Sequence, residues 1–247
     1  SYLPDAMCDF YGYNGYQTKY NMLWHNAKKD SSQYLSRAFY KLKRDLFRAA
    51  ADIEGKISGN YWKWNAGLGV LGYNIDECNI NMLNGKRNPS DQKYLDPEVQ
   101  GLYESYLNWG IINPDEAHGG WHPYLRGGIT FDSRDKRSNP SKGIYADIFL
   151  TYSAAFGKQS EYNNLKLNFD FRHYVALYKD RLTLAYRIGT QNTIAGESPF
   201  YMNTYHNTLF IQRVLYEGLG GANSLRGVMR NRILARGFAF ANVELRT

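Results

Sequence analysis

Long stretches of strict apolar/polar alternation constrain this chain more than any other feature. From Leu165 the odd positions read Leu165, Leu167, Phe169, Phe171, His173 and Val175, and the even ones Lys166, Asn168, Asp170, Arg172 and Tyr174. A period of two is the side-chain period of an extended strand, so one face meets an apolar surrounding and the other meets water or polar partners. The split recurs from Ile144, where Ile144, Ala146, Ile148, Leu150 and Tyr152 oppose Tyr145, Asp147, Phe149, Thr151 and Ser153. It returns at 181–189, with Leu182, Leu184, Tyr186 and Ile188 against Thr183, Ala185, Arg187 and Gly189. At 236–246 Ala239, Ala241, Val243 and Leu245 oppose Phe238, Phe240, Asn242, Glu244 and Arg246.

Weaker alternation predicts further strands near 13–24, 34–44, 45–57, 61–73, 121–132 and 206–216, separated by turn-rich spacers such as DKRSNPSKG, GKQSEYNN and GTQNTIAGESP. Together these make about ten to twelve strands in series. The segment PEVQGLYESYLNWGII at 97–112 is different. Pro97 suits a first helical turn, and Val99, Leu102, Tyr103, Tyr106 and Leu107 share one helical face, so 84–120 reads as an insertion with one short helix.

Twenty-two Tyr, twelve Phe and five Trp in 247 residues suit strands. Two all-β architectures fit: a sandwich whose apolar faces meet each other, or a transmembrane antiparallel β-barrel whose apolar face meets lipid. Several runs reach about 10–12 residues, the span a tilted strand needs to cross a bilayer, against about 5–6 in ordinary sheets. That favours the barrel, as do Trp62, Trp64, Trp121, Tyr124, Tyr152, Tyr174 and Tyr178 near strand ends. The mean hydropathy of −0.57 is no objection, because alternation hides the apolar half. No charged-then-apolar leader opens the chain, so a mature form or an internal fragment is expected.

The net charge of +7 comes from cations spread singly along strands, without the dense patch a nucleic acid requires. Cys8 and Cys78 fit neither a disulfide framework nor a zinc site, although they could pair in an oxidising compartment. Gly67-Leu68-Gly69-Val70-Leu71-Gly72 spells a dinucleotide-binding fingerprint, but no helical period follows it, and small residues along a curving strand explain it better. Asp132, Arg134 and Asp135 lead into a turn, where Asx bonding and an Asp–Arg pair account for them more simply than acid–base chemistry. The five histidines lack ligand spacing, and Ser224 lies outside a nucleophile elbow, so no catalytic residue, metal site or cofactor site is expected.

Two stretches carry a resemblance. Gly220-Gly221-Ala222-Asn223-Ser224-Leu225-Arg226-Gly227, followed by a strand ending Asn242-Val243-Glu244-Leu245-Arg246, resembles the signature of the BamA/TamA-like outer-membrane assembly factors, the bacterial surface antigen barrels. Phe131-Asp132-Ser133-Arg134-Asp135, with Asn139-Pro140-Ser141-Lys142-Gly143, is similar to that family's aspartate/arginine turn. Val228 stands where the family has an aromatic, which removes any packing role for that ring.

The resemblance implies a bacterial outer-membrane barrel of roughly sixteen strands, of which 1–247 is a part lacking about four C-terminal strands. POTRA repeats would precede it, and 217–235 would be a loop folded into the lumen. There Arg226 would pair with acidic wall residues; Glu244, on the polar face of its strand, is the one such partner present. The implied function is assembly and insertion of outer-membrane proteins, or polypeptide translocation, without enzymatic chemistry. Its partners would be outer-membrane lipid, periplasmic or lipoprotein accessory proteins and unfolded barrel substrates. The alternatives are a barrel serving as anchor or export pore for an attached domain such as a patatin-like lipase, and a passive porin.

Overall fold

The fold was obtained as a computed structural model that describes residues 7–13, 38–91, 94–156, 161–178, 181–203, 219–220, 224–228 and 232–247. Each alternating segment extends into a strand and pairs with the next in sequence. The result is one antiparallel meander of β1 (Met7–Asp9), β2 (Lys41–Ser58), β3 (Trp62–Asp76), β4 (Gly119–Asp132), β5 (Gly143–Ser153), β6 (Asn164–Tyr178), β7 (Leu182–Gly196) and β8 (Gly237–Arg246). Its register is continuous apart from irregularities near Lys56/Ser58, Leu165/Lys166 and Ala176/Tyr178.

Burial on this sheet is the inverse of a soluble core. Lys166 is 3% exposed and Asn168 2%, while Val243 on the apolar face is 72% exposed. Leu68, Leu125, Ile148, Leu150 and Ile188 also face outward. An apolar exterior around a polar interior is the wall of a transmembrane barrel. Its height agrees: Trp121 to Phe131 on β4 covers about 34 Å of strand at ~3.4 Å per residue. Tilted by about 40°, that gives roughly the 25 Å apolar band of outer-membrane barrels.

The two ends of the sheet differ. Connections at 59–61, 133–142 and 179–181 close one end, whereas 77–118, 154–163 and 197–236 emerge from the other. Short turns mark the periplasmic side of such barrels and long loops the outside. Among the described residues the long connections hold four short helices: α1 (Ile80–Asn84), α2 (Leu102–Asn108), α3 (Pro114–Ala117) and α4 (Phe200–Asn203). At α2, Gly101 is the N-cap and Glu104 accepts from its amide, while Tyr103 and Tyr106 are buried. Asn113 caps α3, with Pro114 in its first turn and Glu116 closing a capping box.

The apolar core lies at this long-loop end. Phe10, Leu42, Leu71, Tyr73 and Ile75 meet Tyr103, Tyr106, Ile112 and Ala117 of the 77–118 connection, and Phe200, Tyr201, Met202 and Leu234 of the 197–236 connection. The Phe10 ring stands edge-on to Tyr103, Tyr106 and Phe200 at centroid distances of 6.0, 5.4 and 5.9 Å.

Two sequence expectations are corrected. Segments 34–44 and 45–57 do not form two strands, since Lys41–Ser58 is uninterrupted. The charged run Lys41–Asp45 resembles a break, but it lies at the loop end of the barrel, where charge reaches water. Among the described residues, the segment 84–120 holds two short helices, α2 and α3, rather than one, with α1 ending where it begins, and the helix expected at 97–112 starts only at Leu102, because Gly101 caps it. The strands expected at 13–24 and 206–216 fall largely or wholly outside the described residues; eight strands are present among those described.

Candidate functional site on the lumen wall

The inward positions of β2 to β8 form a wall of paired charges. Asp52, Gly67 and Arg126 occupy one row across β2, β3 and β4. Gly67 has no Cβ to intervene, and the Asp52 carboxylate bonds the Arg126 guanidinium across the middle strand. Beside them Lys63 Nζ donates to Glu54 Oε1 at 2.6 Å. The glycines that imitate a nucleotide fingerprint are therefore crossing points. A Cβ on Gly69 would meet Ala49 O at 2.6 Å and the Tyr124 hydroxyl at 2.7 Å. On the outer face Phe47 and Trp121 approach to 5.6 Å across Gly72.

A second cluster sits on β6 and β7. Arg172 donates to Asp170 through Nε at 2.8 Å and Nη2 at 3.2 Å. Arg187, opposite Arg172 in the register, donates through Nε to both Asp170 oxygens at 3.2 and 2.9 Å and bonds again through Nη2. The Arg187 guanidinium also lies over the Phe240 ring, 4.9 Å from its centroid, and that ring occupies the space left by Gly189. Asp147 faces Asp170 from β5. Alternation identified these residues as one polar face but not their pairings.

The long-loop end reaches into the same wall. Lys166 Nζ donates to Met202 O at 3.0 Å, and His122 Nε2 shares a 2.8 Å hydrogen bond with the Tyr201 hydroxyl. The Phe200 amide donates to Glu116 Oε2 at 2.8 Å. Burial pushes the Glu116 carboxyl up, opposed by the Phe200 and Asn113 amides. Residues 200–202 are thus pinned to α3, β4 and β6 together.

The glycine-rich segment sits beside β8. Gly220 and Gly227 have φ of +113° and +86°, which L side chains rarely adopt. Ser224 Oγ accepts from the Gly220 amide at 2.9 Å and donates to Gly220 O at 3.0 Å. Asn242 Nδ2 donates to Ser224 O at 2.6 Å. Arg226 Nη2 lies 3.7 Å from Glu244 Oε1, with the arginine side chain 76% exposed. Glu244 also accepts from Arg246 at 3.1 and 3.0 Å. Leu225 is half-buried, and Gly221 lies outside the described residues.

The remaining candidates form the 133–142 turn. Arg134 clasps Asp132 through Nε and Nη2, both at 2.8 Å. Asp135 accepts from the Ser141 hydroxyl at 2.6 Å and from the amides of Lys136, Ser141 and Lys142. The Ser141 hydroxyl, then the Lys142, Ser141 and Lys136 amides, hold its carboxyl down at about 2. Cys8 and Cys78 are not joined by a disulfide, and burial, followed by the nearness of Cys8, pushes the Cys78 thiol up to about 12. Among the described residues no His, Cys, Asp or Glu cluster could hold a metal ion. The arrangement is one for bracing a wall and seating a loop.

A comparison with solved structures finds the crystal structure of BamA from Haemophilus ducreyi lacking POTRA domains 1–3, at a TM-score of 0.51 and 18% identity. The likeness covers 84% of this chain and 38% of that one, so this chain spans well under half of its structural relative. A comparison with curated proteins finds no match. Residues 10–247 match the Omp85 superfamily domain, and with its apolar exterior, charge-paired lumen wall and antiparallel meander the chain belongs to the Omp85 superfamily of bacterial outer-membrane barrels.

Proposed function

We propose that this barrel belongs to a machine that folds and inserts other outer-membrane proteins or passes polypeptide across the membrane. The observation that carries the reading is the packed core at the long-loop end of the wall, on the side of the inward-facing residues. Phe200, Tyr201 and Met202 are buried at 2–4% exposure against the 77–118 connection and the ends of β3 and β4. A passive porin needs an open aqueous path, whereas a barrel that works on its clients through its wall does not. The Gly220–Gly227 segment beside Asn242 and Glu244 supports the same reading, with Arg226 and Glu244 joining loop to wall.

Depletion of the full-length protein in its host tests it. Folded, heat-modifiable barrel proteins should fall in the outer membrane while their unfolded precursors collect in the periplasm. Undiminished barrel proteins, together with loss of one secreted or surface-displayed domain encoded in the same chain, would overturn the proposal in favour of an anchor or export pore.

A further inference from the structure

At the short-turn end, cations gather where the lumen network does not use them. The 133–142 turn carries Arg134, Lys136, Arg137 and Lys142 against the single carboxylate of Asp135. Arg134 is committed to Asp132. Lys136, Arg137 and Lys142 are exposed and make no ion pair within 4 Å among the described residues. Arg181 at the neighbouring β6–β7 turn and Lys56 near the β2–β3 turn are exposed as well. Asp135 is saturated by the Ser141 hydroxyl and three backbone amides, so its charge holds the turn's shape.

An aromatic shelf adjoins this turn. Trp62 and Tyr61 are 48% and 55% exposed, and their rings stand 5.0 and 6.0 Å from that of Phe131, the residue before Asp132. The Asp132 amide donates to Tyr61 O at 2.9 Å, which ties shelf and turn together. Trp and Tyr settle at the headgroup level of a bilayer, which puts the three free cations just beyond it, level with lipid phosphates. On the short-turn side those phosphates belong to the periplasmic leaflet.

We propose that the 133–142 turn and the Tyr61–Trp62–Phe131 shelf form a collar that binds the phosphate headgroups of anionic glycerophospholipids in the periplasmic leaflet. The turn is already ordered by its own hydrogen bonds, so little conformational freedom is lost on binding. Each cation near an anionic surface contributes about fivefold in affinity, weakened by salt.

Native mass spectrometry of the full-length protein in detergent, supplied with phosphatidylglycerol or phosphatidylcholine, tests the collar. Wild type should retain phosphatidylglycerol preferentially. The K136Q/R137Q/K142Q variant should lose about fivefold per charge, on the order of a hundredfold in all. A K86Q/R87Q variant, altered in the 77–118 connection at the other end, should retain the lipid as wild type does. Heat-modifiable migration of each variant confirms that the barrel is folded. Unchanged retention in the triple variant would overturn the proposal, as would an equal loss per charge in K86Q/R87Q, which would reduce the effect to net charge. So would a triple variant that keeps its lipid but no longer co-purifies with an acidic periplasmic protein.

Discussion

Replacing Asp170 with asparagine gives the sharpest test of the lumen network. Asp170 is bonded to both Arg172 and Arg187, and its side chain is 12% exposed. The change preserves shape but leaves two guanidinium groups facing each other across β6 and β7. Removing one partner of a fully buried pair costs roughly 3–5 kcal/mol. The arginine side chains are 34% and 21% exposed, so water screens them, and Asp147 across the register takes up part of the stranded charge. A loss of about 2–3 kcal/mol follows, roughly thirty- to a hundred-and-sixtyfold in the folded-to-unfolded ratio. Urea titration of the full-length protein in lipid vesicles, read by the heat-modifiable band on gels, measures it. The D170N/R187Q double variant should recover part of the loss, because one of the two facing guanidinium groups is gone. Equal midpoints for wild type and D170N, or strict additivity in the double variant, would refute the network as described.

Three further outcomes follow from the same geometry. Gly69→Ala should destabilise the barrel by about 1–3 kcal/mol, because a Cβ there meets the Ala49 carbonyl and the Tyr124 ring; a urea midpoint unchanged from wild type would contradict this. Tyr103→Phe leaves the buried Ala117 carbonyl without the donor that now lies 2.5 Å away, a loss of about 1–3 kcal/mol, visible as faster proteolysis of the 77–118 connection with the barrel intact. Asp135→Ala should speed amide exchange at Ser141 and Lys142. Because the folded carboxyl titrates near 2, below its unfolded value of about 3.9, its contribution is present above pH 4 and is lost as the pH falls towards 2. Exchange at these amides that ignores both the substitution and that pH window would remove Asp135 from its role.

Much of the wall is legible in the sequence because alternation directly encodes the face. The parity that separates Lys166, Asn168 and Asp170 from Leu165, Leu167 and Phe169 is the one seen in burial. Pairing is not legible, because it depends on register. Asp52 and Arg126 are far apart in sequence and meet only because β3 places Gly67 between them. The fingerprint-like glycines could be read away from nucleotide binding, yet nothing local said which side chains they admit. The loop core was half visible: Tyr103, Tyr106 and Leu107 announced a helical face, but Phe10 and Phe200, which cover it, carry no periodic signal.

The wall and the loop are held with different strength, and this ranks their variants. The family resemblance alone would make Arg226 a buried cation whose loss costs as much as any buried pair. In the structure it lies 3.7 Å from Glu244 with 76% of its side chain exposed, and Glu244 already has Arg246 as a closer partner. An ion pair so exposed contributes at most about 1 kcal/mol. The Gly220–Gly227 segment is held to β8 more firmly by the 2.6 Å bond from Asn242 to Ser224 O. Arg226→Ala should therefore shift the urea midpoint less than Asp170→Asn does. Asn242→Ala should release the segment, detected as faster amide exchange over 224–228. A charge swap, R226E/E244R, should restore little, because Arg246 would then lie beside a second cation at position 244. If Arg226→Ala unfolds the barrel more readily than Asp170→Asn, the loop braces the wall and this ranking is wrong. If it does not, a rigid wall and a loosely seated loop fit a barrel whose interior segment can move without the wall giving way.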